Sequence, residues 1–415
     1  PRKGFITPSV PFAERWFIDM EIPQAVEKII DTLEAGGFEA YAVGGCVRDT
    51  LLGREPEDWD ITTSARPEQV KRLFRRTVDT GIQHGTVTVL ENHQGYEVTT
   101  YRIDGEYEDG RHPKQVEFTA SLTEDLKRRD FTINAMAYTK KTGIVDEFGG
   151  MEDLKRGIIR CVGAAQERFT EDALRILRAI RFSAQLGFSI EEQTLEAVRQ
   201  IAPNLVHVSK ERIQVELTKL LKSPHPERMS LVFDTGIAPY VSAHFAEAGN
   251  PGEKDGENWL TAEFEPEKYV RWAAFLRRLG EKEAERILKE LKADNDTISR
   301  VRLLVENWKC PLDADKYQLR RAMSRMSGEM FDSLLRFRLA AGTDSREKTE
   351  ALQAMAQEIR RDGDCISLKT LAVTGNDLIA AGMKPGREIG LKLEEMLEDV
   401  LRHPEHNTKE YLLRF

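Results

Sequence analysis

Asp58, Trp59 and Asp60 set two carboxylates one residue apart. In a strand, residues i and i+2 share a face. Two carboxylates there repel each other unless a divalent cation lies between them. Magnesium takes oxygen ligands, commonly one or two carboxylates completed by substrate phosphates. A solvated acidic turn is the plain alternative for such a pair. About ten residues upstream, Gly44-Gly45-Cys46-Val47-Arg48-Asp49 follows a strand-like run. Paired glycines let the backbone approach a phosphate closely and leave amides pointing at it. Arg48 can pair with a triphosphate oxygen. An ordinary tight turn is the competing reading, and the spacing to Asp58 is what makes both motifs specific. No GxxxxGK[ST] occurs, so this is not a P-loop NTPase. Glu97, in the β-branched and aromatic stretch Tyr96 to Tyr101, is either a solvent-facing strand acid or a third carboxylate beside the pair. Three carboxylates could hold two magnesium ions for in-line phosphoryl transfer.

Two further clusters are basic. Arg128-Arg129-Asp130-Phe131-Thr132-Ile133-Asn134 sits where a loop meets a predicted helix. Arg129 and Asp130 can reach a ribose hydroxyl or triphosphate oxygens, or Asp130 simply caps the helix. Glu171-Asp172-Ala173-Leu174-Arg175, continuing to Arg178 and Arg181, reads as one helical face. Asp172 and Arg175 are then i, i+3 neighbours. A salt-bridged surface explains that pattern, and so does base selection. Cytosine and adenine both carry an exocyclic amine that a carboxylate can accept from, while arginine donates to the adjacent ring nitrogen. Uracil and guanine present a carbonyl at the equivalent place. Arg181 does not follow from this geometry, because an ideal helix turns it about 180° away from Asp172.

The elements that must position these residues follow from periodicity. Ile22, Val26, Ile29, Ile30 and Leu33 mark a helix over 22–36 that Gly36-Gly37 ends. Strands are predicted over 38–43, 59–61, 78–80, 86–90 and 96–101, then a polar loop over 103–116. Helices follow at 122–127 and 132–138. After Gly149-Gly150 the pattern is helical almost throughout: 165–186, 191–201, 209–222, 227–235, 268–279, 282–292, 294–308, 316–325, 329–340, 345–361 and 389–401. An acidic loop is expected over 246–267. The expected class is α+β: a small mixed β-sheet head, then an all-helical remainder.

A length of 415 residues calls for two to four domains. The net charge of −9 argues against a generic nucleic-acid binder, but phosphate binding depends on where cations lie rather than on their sum. Local clusters exist at Lys71-Arg72 with Arg75-Arg76, Arg277-Arg278, and Arg320-Arg321 with Arg325. The apolar runs are too short to span a membrane. Cys46, Cys161, Cys310 and Cys365 form no CxxC pair, so a reducing, cytoplasmic setting is expected rather than zinc or disulfides. Residues 1–19 read as a leader before a start at Met20, without a secretory pattern.

In order, GGCVRD, DWD, YEVTTYR, DGRHP, RRDFTINA and EDALRILRAIRF strongly resemble the bacterial class II CCA-adding enzymes, within the wider family of tRNA nucleotidyltransferases and bacterial poly(A) polymerases. The resemblance covers most of residues 20–215. Beyond that, Val373-Thr374-Gly375-Asn376-Asp377-Leu378 and Lys384-Pro385-Gly386 are similar to the family's C-terminal segment. It implies a nucleotidyltransferase head over 20–155, a neck with a base-recognition helix over 156–220, a body over 221–310 and a tail over 311–415. The body and tail would hold the acceptor and TΨC arms of tRNA. It implies Asp58 and Asp60 as ligands of two Mg2+ ions, with Glu97 as a further catalytic carboxylate. Gly45, Arg48 and Arg129 would bind the phosphates and sugar of CTP or ATP. Asp172 and Arg175 would pair with the base, and Arg178 and Arg181 would complete the pocket. The resemblance implies addition of CCA to tRNA 3′ ends. Within the family the alternatives are a CC-adding enzyme, an A-adding enzyme and a poly(A) polymerase; outside it, a non-catalytic RNA-binding protein or a transferase acting on a small molecule. CC-adding relatives typically lack the flexible loop that this chain keeps through Arg111-His112-Pro113, which favours full CCA addition. No membrane and no obligate protein partner are expected.

Overall fold

The computed structural model describes residues 20–104, 116–250 and 260–415. The sequence expectations for residues 1–19, for the polar loop with Arg111 and for the middle of the acidic segment lie outside the described residues. Two compact units divide at residues 246/247.

The first unit opens with α1 (Gln24–Ala35), whose Ala25, Val26, Ile29, Ile30 and Leu33 are buried. Their helical spacing gives one apolar stripe, and it covers the sheet near β1 (Ala40–Val43). Next come α2 (Gly45–Leu51), β2 (Ile61–Thr63), α3 (Pro67–Leu73), β3 (Thr77–Gly81), β4 (Thr86–Glu91), β5 (Gln94–Thr100), β6 (Arg102–Asp104), β7 (Val116–Phe118) and α4 (Leu122–Lys127). Then follow β8 (Ala137–Thr139), β9 (Gly143–Val145), α5 (Gly150–Arg156), β10 (Ile158–Ile159), α6 (Ala165–Glu171), α7 (Leu174–Leu186), β11 (Ser189–Ile190), α8 (Glu192–Ile201), α9 (Lys210–Leu221), α10 (Ser230–Asp234) and α11 (Ala238–Val241). Seven strands form one sheet in the order β3-β4-β5-β2-β1-β8-β9. All neighbours are antiparallel except β2 and β5, which run parallel.

The second unit is helical in its described residues: α12 (Lys268–Leu276), α13 (Glu281–Glu290), α14 (Asn295–Asn307), α15 (Lys316–Ser324), α16 (Gly328–Ala340), α17 (Arg346–Asp362), α18 (Gly375–Ala380), α19 (Arg387–Arg402) and α20 (Lys409–Leu412). One apolar cluster gathers Leu319, Phe331, Leu335, Leu352 and Ile359; another gathers Val373, Leu378, Met396, Val400 and Leu412. The α+β class is as expected. No helix among the described residues is long and apolar enough to cross a membrane.

Three local expectations are corrected. The helix predicted over 132–138 is a 3-10 turn at Thr132–Asn134 followed by β8. Residues 130–139 are buried throughout, so the segment offers no polar face from which period could be read. Trp59 does not start a strand, because β2 begins at Ile61. The helix predicted over 165–186 is broken at Asp172-Ala173 into α6 and α7.

Candidate active site

Parallel pairing of β2 with β5 sets the first cluster. Ile61 is opposite Val98, and both side chains are fully buried. Asp60, immediately before β2, and Glu97, immediately before Val98 on β5, come within electrostatic reach of each other. The Asp60 carbonyl accepts from the Val43 amide (3.0 Å), tying this end of the segment to the end of β1. Asp58 and Asp60 do not share a strand face as expected, since both lie in irregular chain before β2. Proximity supplies what the strand argument does not. Burial pushes the Asp60 carboxyl up, Arg129 opposes that, and Asp58 adds to it. Burial, then the charges of Asp60 and Asp58, push Glu97 up.

Three carboxylates that penalise one another's charge form a hard-oxygen donor set with an electrostatic deficit that a divalent cation relieves. Their chemistry fits a magnesium-type ion completed by water and substrate phosphates. They are not drawn into a closed cage. Among the described residues, the only trio of His, Cys, Asp or Glu whose ligand atoms all lie within 4.8 Å of one another is elsewhere, at His403, Glu405 and His406.

Next to this cluster is a cavity of about 480 Å³ lined by Gly44, Gly45, Arg48, Asp60, Arg129, Asp172, Arg175, Arg178 and Arg181, among others. Gly44 ends β1 and starts α2 with φ +83°. That left-handed conformation calls for glycine, whereas an added Cβ would crowd only the movable end of Arg129, 2.9 Å from its Nη1. Arg48 donates from Nε and Nη2 to the two oxygens of Asp49 (2.9 and 2.8 Å) and from Nη1 to Asn134 Oδ1 (2.6 Å). Arg129 reaches Asp125 at 3.5 Å. Its Nε is buried without a hydrogen-bond partner among the described residues, the kind of donor that an anionic ligand would satisfy.

The break between α6 and α7 builds the opposite wall. Asp172 is extended (φ −142°, ψ 101°), and its Oδ1 accepts from the Leu174 amide (3.0 Å). A short carboxylate that satisfies a nearby amide competes with helical pairing and favours a helix start. Asp172 and Arg175 are therefore not i, i+3 neighbours on one helix. Asp172 Oδ2 accepts from Arg212 Nη2 (2.8 Å) on α9. Arg175 donates from Nη1 to Glu171 Oε2 (2.7 Å) and from Nη2 to the Arg128 carbonyl (3.1 Å). Arg181 donates from Nε to Glu216 Oε2 (2.5 Å) and from Nη1 to Gln185 Oε1 (2.7 Å). Its guanidinium lies 3.7 Å from the Phe182 ring centre, with those of Arg48 and Arg178 at 5.0 and 5.5 Å. The break answers the difficulty with Arg181: Asp172 is outside the helix that carries Arg181, so both line one cavity.

Asp130 is committed to the protein. Its Oδ1 accepts from the Phe131 amide (2.9 Å) and Asn134 Nδ2 (3.1 Å), and its Oδ2 from Arg178 Nε (2.7 Å). Burial alone would raise this carboxyl, but Arg178, Asn134 and Arg175 hold it well below the usual carboxylate range. It orients Arg178 and has few lone pairs left for a ribose.

Seven arginines (48, 128, 129, 175, 178, 181, 212) face three aspartates (60, 130, 172) in the cavity lining. That excess of positive charge, in a chain of net charge −9, marks a site for a polyanion. Asp58 and Glu97 are not part of the lining; they lie in electrostatic reach of Asp60. Sequence reasoning missed Asn134, Phe182, Arg212 and Glu216. Phe182 had a local signal, being adjacent to Arg181 and i+4 from Arg178. Arg212 and Glu216 had none, because α9 meets α7 only through the fold.

Known proteins resemble this chain along most of its length. Residues 40–160 match the family model "Poly A polymerase head domain", 187–247 match "Probable RNA and SrmB- binding site of polymerase A", and 265–415 match "tRNA nucleotidyltransferase domain 2 putative". The CCA-adding enzyme of Lactiplantibacillus plantarum is 38% identical over 94% of this chain and 95% of its own. That of Geobacillus kaustophilus is 39% identical over 92% and 93%. A solved structure of the Bacillus stearothermophilus CCA-adding enzyme in complex with CTP is similar, with TM-score 0.79 and 34% identity, covering 94% of this chain and 95% of that one.

Proposed function

From the premise that the chain belongs to the family of CCA-adding enzymes, we propose that it builds and repairs the 3′-terminal CCA of tRNA without a nucleic-acid template, using CTP and ATP and releasing pyrophosphate. One observation carries the reading: phosphate-binding cations, Asp60 and the Asp172/Arg175 pair line a single cavity. A nucleoside triphosphate presents to such a cavity a polyanion at one end and a base edge at the other.

Enzymes of this family use divalent metal ions. Two Mg2+ ions would be held by Asp58 and Asp60, with Glu97 as the further catalytic carboxylate. When bound they supply activation of the tRNA 3′-hydroxyl and charge neutralisation at the pyrophosphate. Arg48 and Arg129 bind the triphosphate and sugar, with the Gly44-Gly45 backbone close beside them. Asp172 accepts from the exocyclic amine of cytosine or adenine, and Arg175 donates to the adjacent ring nitrogen. Asp172 keeps lone pairs free for this, because a carboxylate offers about four and two are used. Arg178 and Arg181, fixed by Asp130 and Glu216, complete the pocket. The tRNA acceptor and TΨC arms lie along the helical body and tail, within the head (20–155), neck (156–220), body (221–310) and tail (311–415) organisation. The enzyme works in the cytoplasm.

The test is incubation with Mg2+ and a tRNA transcript lacking CCA, supplying CTP alone, ATP alone, both, or UTP with GTP. Two additions with CTP, and a third only when ATP is present, are expected. Stopping at CC with both would make it a CC-adding enzyme, and a long A-tail on unrelated RNA a poly(A) polymerase. No incorporation would leave a binding protein.

A further inference from the structure

At the end of α19 the chain turns sharply in a small, well-tied segment. The His403 amide closes the helix on the Asp399 carbonyl (2.8 Å), and the His406 amide closes the 3-10 turn Pro404–His406 on the His403 carbonyl (2.9 Å). Asn407 anchors that turn. Its Oδ1 accepts from the Ala372 amide (2.8 Å), and its Nδ2 donates to the Thr370 carbonyl (3.1 Å). From this turn project His403, Glu405 and His406, the trio whose ligand atoms all lie within 4.8 Å of one another.

His406 is oriented in advance. Its Nδ1 is 2.8 Å from Asp399 Oδ2. Its ring stacks against His403 (centroids 4.8 Å) on one contact and Tyr411 (4.0 Å) on the other. An ionised carboxylate only accepts, so in the neutral imidazole Nδ1 carries the proton and Nε2 keeps its lone pair. A carboxylate behind one ring nitrogen, leaving the other free, is the arrangement that supports metal-ligating histidines. The His403–Glu405 contact (Nδ1 to Oε1, 3.5 Å) is by itself a surface ion pair of little consequence. That reading does not account for the fixed tautomer of His406 in the same turn.

We propose that His403, Glu405 and His406 bind a transition-metal dication of the zinc class, with Asp399 as the positioning residue for His406. Two imidazoles and one carboxylate are a zinc-type donor set that leaves a fourth position for water. Nitrogen donors disfavour Mg2+ and Ca2+, which prefer oxygen. Ligand atoms about 2.1 Å from a tetrahedral centre are roughly 3.4 Å apart. Closing from the 4.8 Å bound requires rotation of the His403 and Glu405 side chains, which are 47% and 70% exposed, with His403 leaving its stack on His406 so that both imidazoles point at one ion. The donor class differs from the all-carboxylate set at Asp58, Asp60 and Glu97, so the two sites select different ions.

The experiment strips the full chain with EDTA, removes the chelator and titrates Co2+ alone, following visible absorption and calorimetric stoichiometry. A D58A/D60A protein serves as a second host, in which the catalytic carboxylates cannot contribute. One Co2+ per chain, with a nitrogen-ligated visible spectrum, is expected in the D58A/D60A host, and at least that one in the unmodified chain. H403N, at an exposed position, should weaken binding at least tenfold, and D399N by about 10- to 100-fold. The thermal unfolding midpoint of metal-free H403N should match that of the metal-free unmodified chain. Absence of Co2+ binding in the D58A/D60A host, or binding that H403N leaves unchanged, overturns the proposal.

Discussion

Arg212 tests how base choice is enforced. Asp172 can read an exocyclic amine only if its carboxylate is held in one orientation, and two contacts hold it: the Leu174 amide on Oδ1 (3.0 Å) and Arg212 Nη2 on Oδ2 (2.8 Å). Arg212→Ala removes the second. The pair is partly shielded, with side-chain exposures of 22% and 16%. A hydrogen bond between charged groups is worth about 1.5–3 kcal/mol, and about 1.4 kcal/mol is tenfold. Because of the residual exposure the lower half of that range applies, giving a fall of roughly 10- to 40-fold in kcat/KM for CTP. The preference for CTP over UTP should fall by a similar factor, since a carboxylate free to rotate loses its direction before it loses its charge. The assay is single-nucleotide extension of a tRNA lacking CCA, with CTP and UTP, for R212A, D172A and R212A/D172A. If Arg212 acts through Asp172, the double variant is no worse than D172A. A full additional loss in the double variant, or an unchanged CTP/UTP ratio in R212A, would refute the reasoning.

Asp58→Ala and Asp60→Ala should each abolish CMP incorporation while leaving tRNA affinity in a filter-binding assay within about twofold; unchanged incorporation by Asp60→Ala would sink the metal-ligand assignment. Glu216→Gln leaves Arg181 buried without its counter-charge, the two side chains being only 7% and 6% exposed. Breaking a buried pair costs about 3–5 kcal/mol, so the midpoint of thermal unfolding should drop by several degrees. A midpoint within one degree would show that another group already neutralises Arg181. Asp130 governs a pH effect. Its carboxyl is lower in the folded state than the unfolded value of about 3.9, so the stability that it contributes is present above that value and is lost as pH falls below it. Urea unfolding between pH 6 and pH 3 should show a shallower pH dependence in Asp130→Asn than in the unmodified chain, and equal slopes would contradict the ion pair.

Much of the fold was legible because local pattern and environment agree. The α1 stripe, β4, β5, α4 and most of α13 to α17 follow from periodicity, since these elements bury mainly one face. The errors have separate roots. Residues 130–139 are buried on every side, and a segment with no solvent face carries no period. The break at Asp172 escaped detection because the flanking residues are good helix formers, and one side chain bonding to one amide ended α6. Asp58, Asp60 and Glu97 were grouped for a partly wrong reason. Their shared strand face does not exist, yet the mutual electrostatic penalty that motivated the argument does.

The sequence alone determined the chemical inventory. Residue types and short spacings are local, so GGxVRD, DWD, RRDFTIN and EDxxR carry their carboxylates and guanidiniums wherever the chain goes. Only the tertiary structure decided which of them meet. Glu97 reaches Asp60 through one parallel pairing among antiparallel ones. Asp172 is steered by an arginine 40 residues on, and Arg181 is neutralised by a glutamate 35 residues on. Arg181 shares a cavity with Asp172 because the helix between them is interrupted. Electrostatic pairing depends on distance in space, and that distance is set by how sheet and helices pack rather than by separation along the chain.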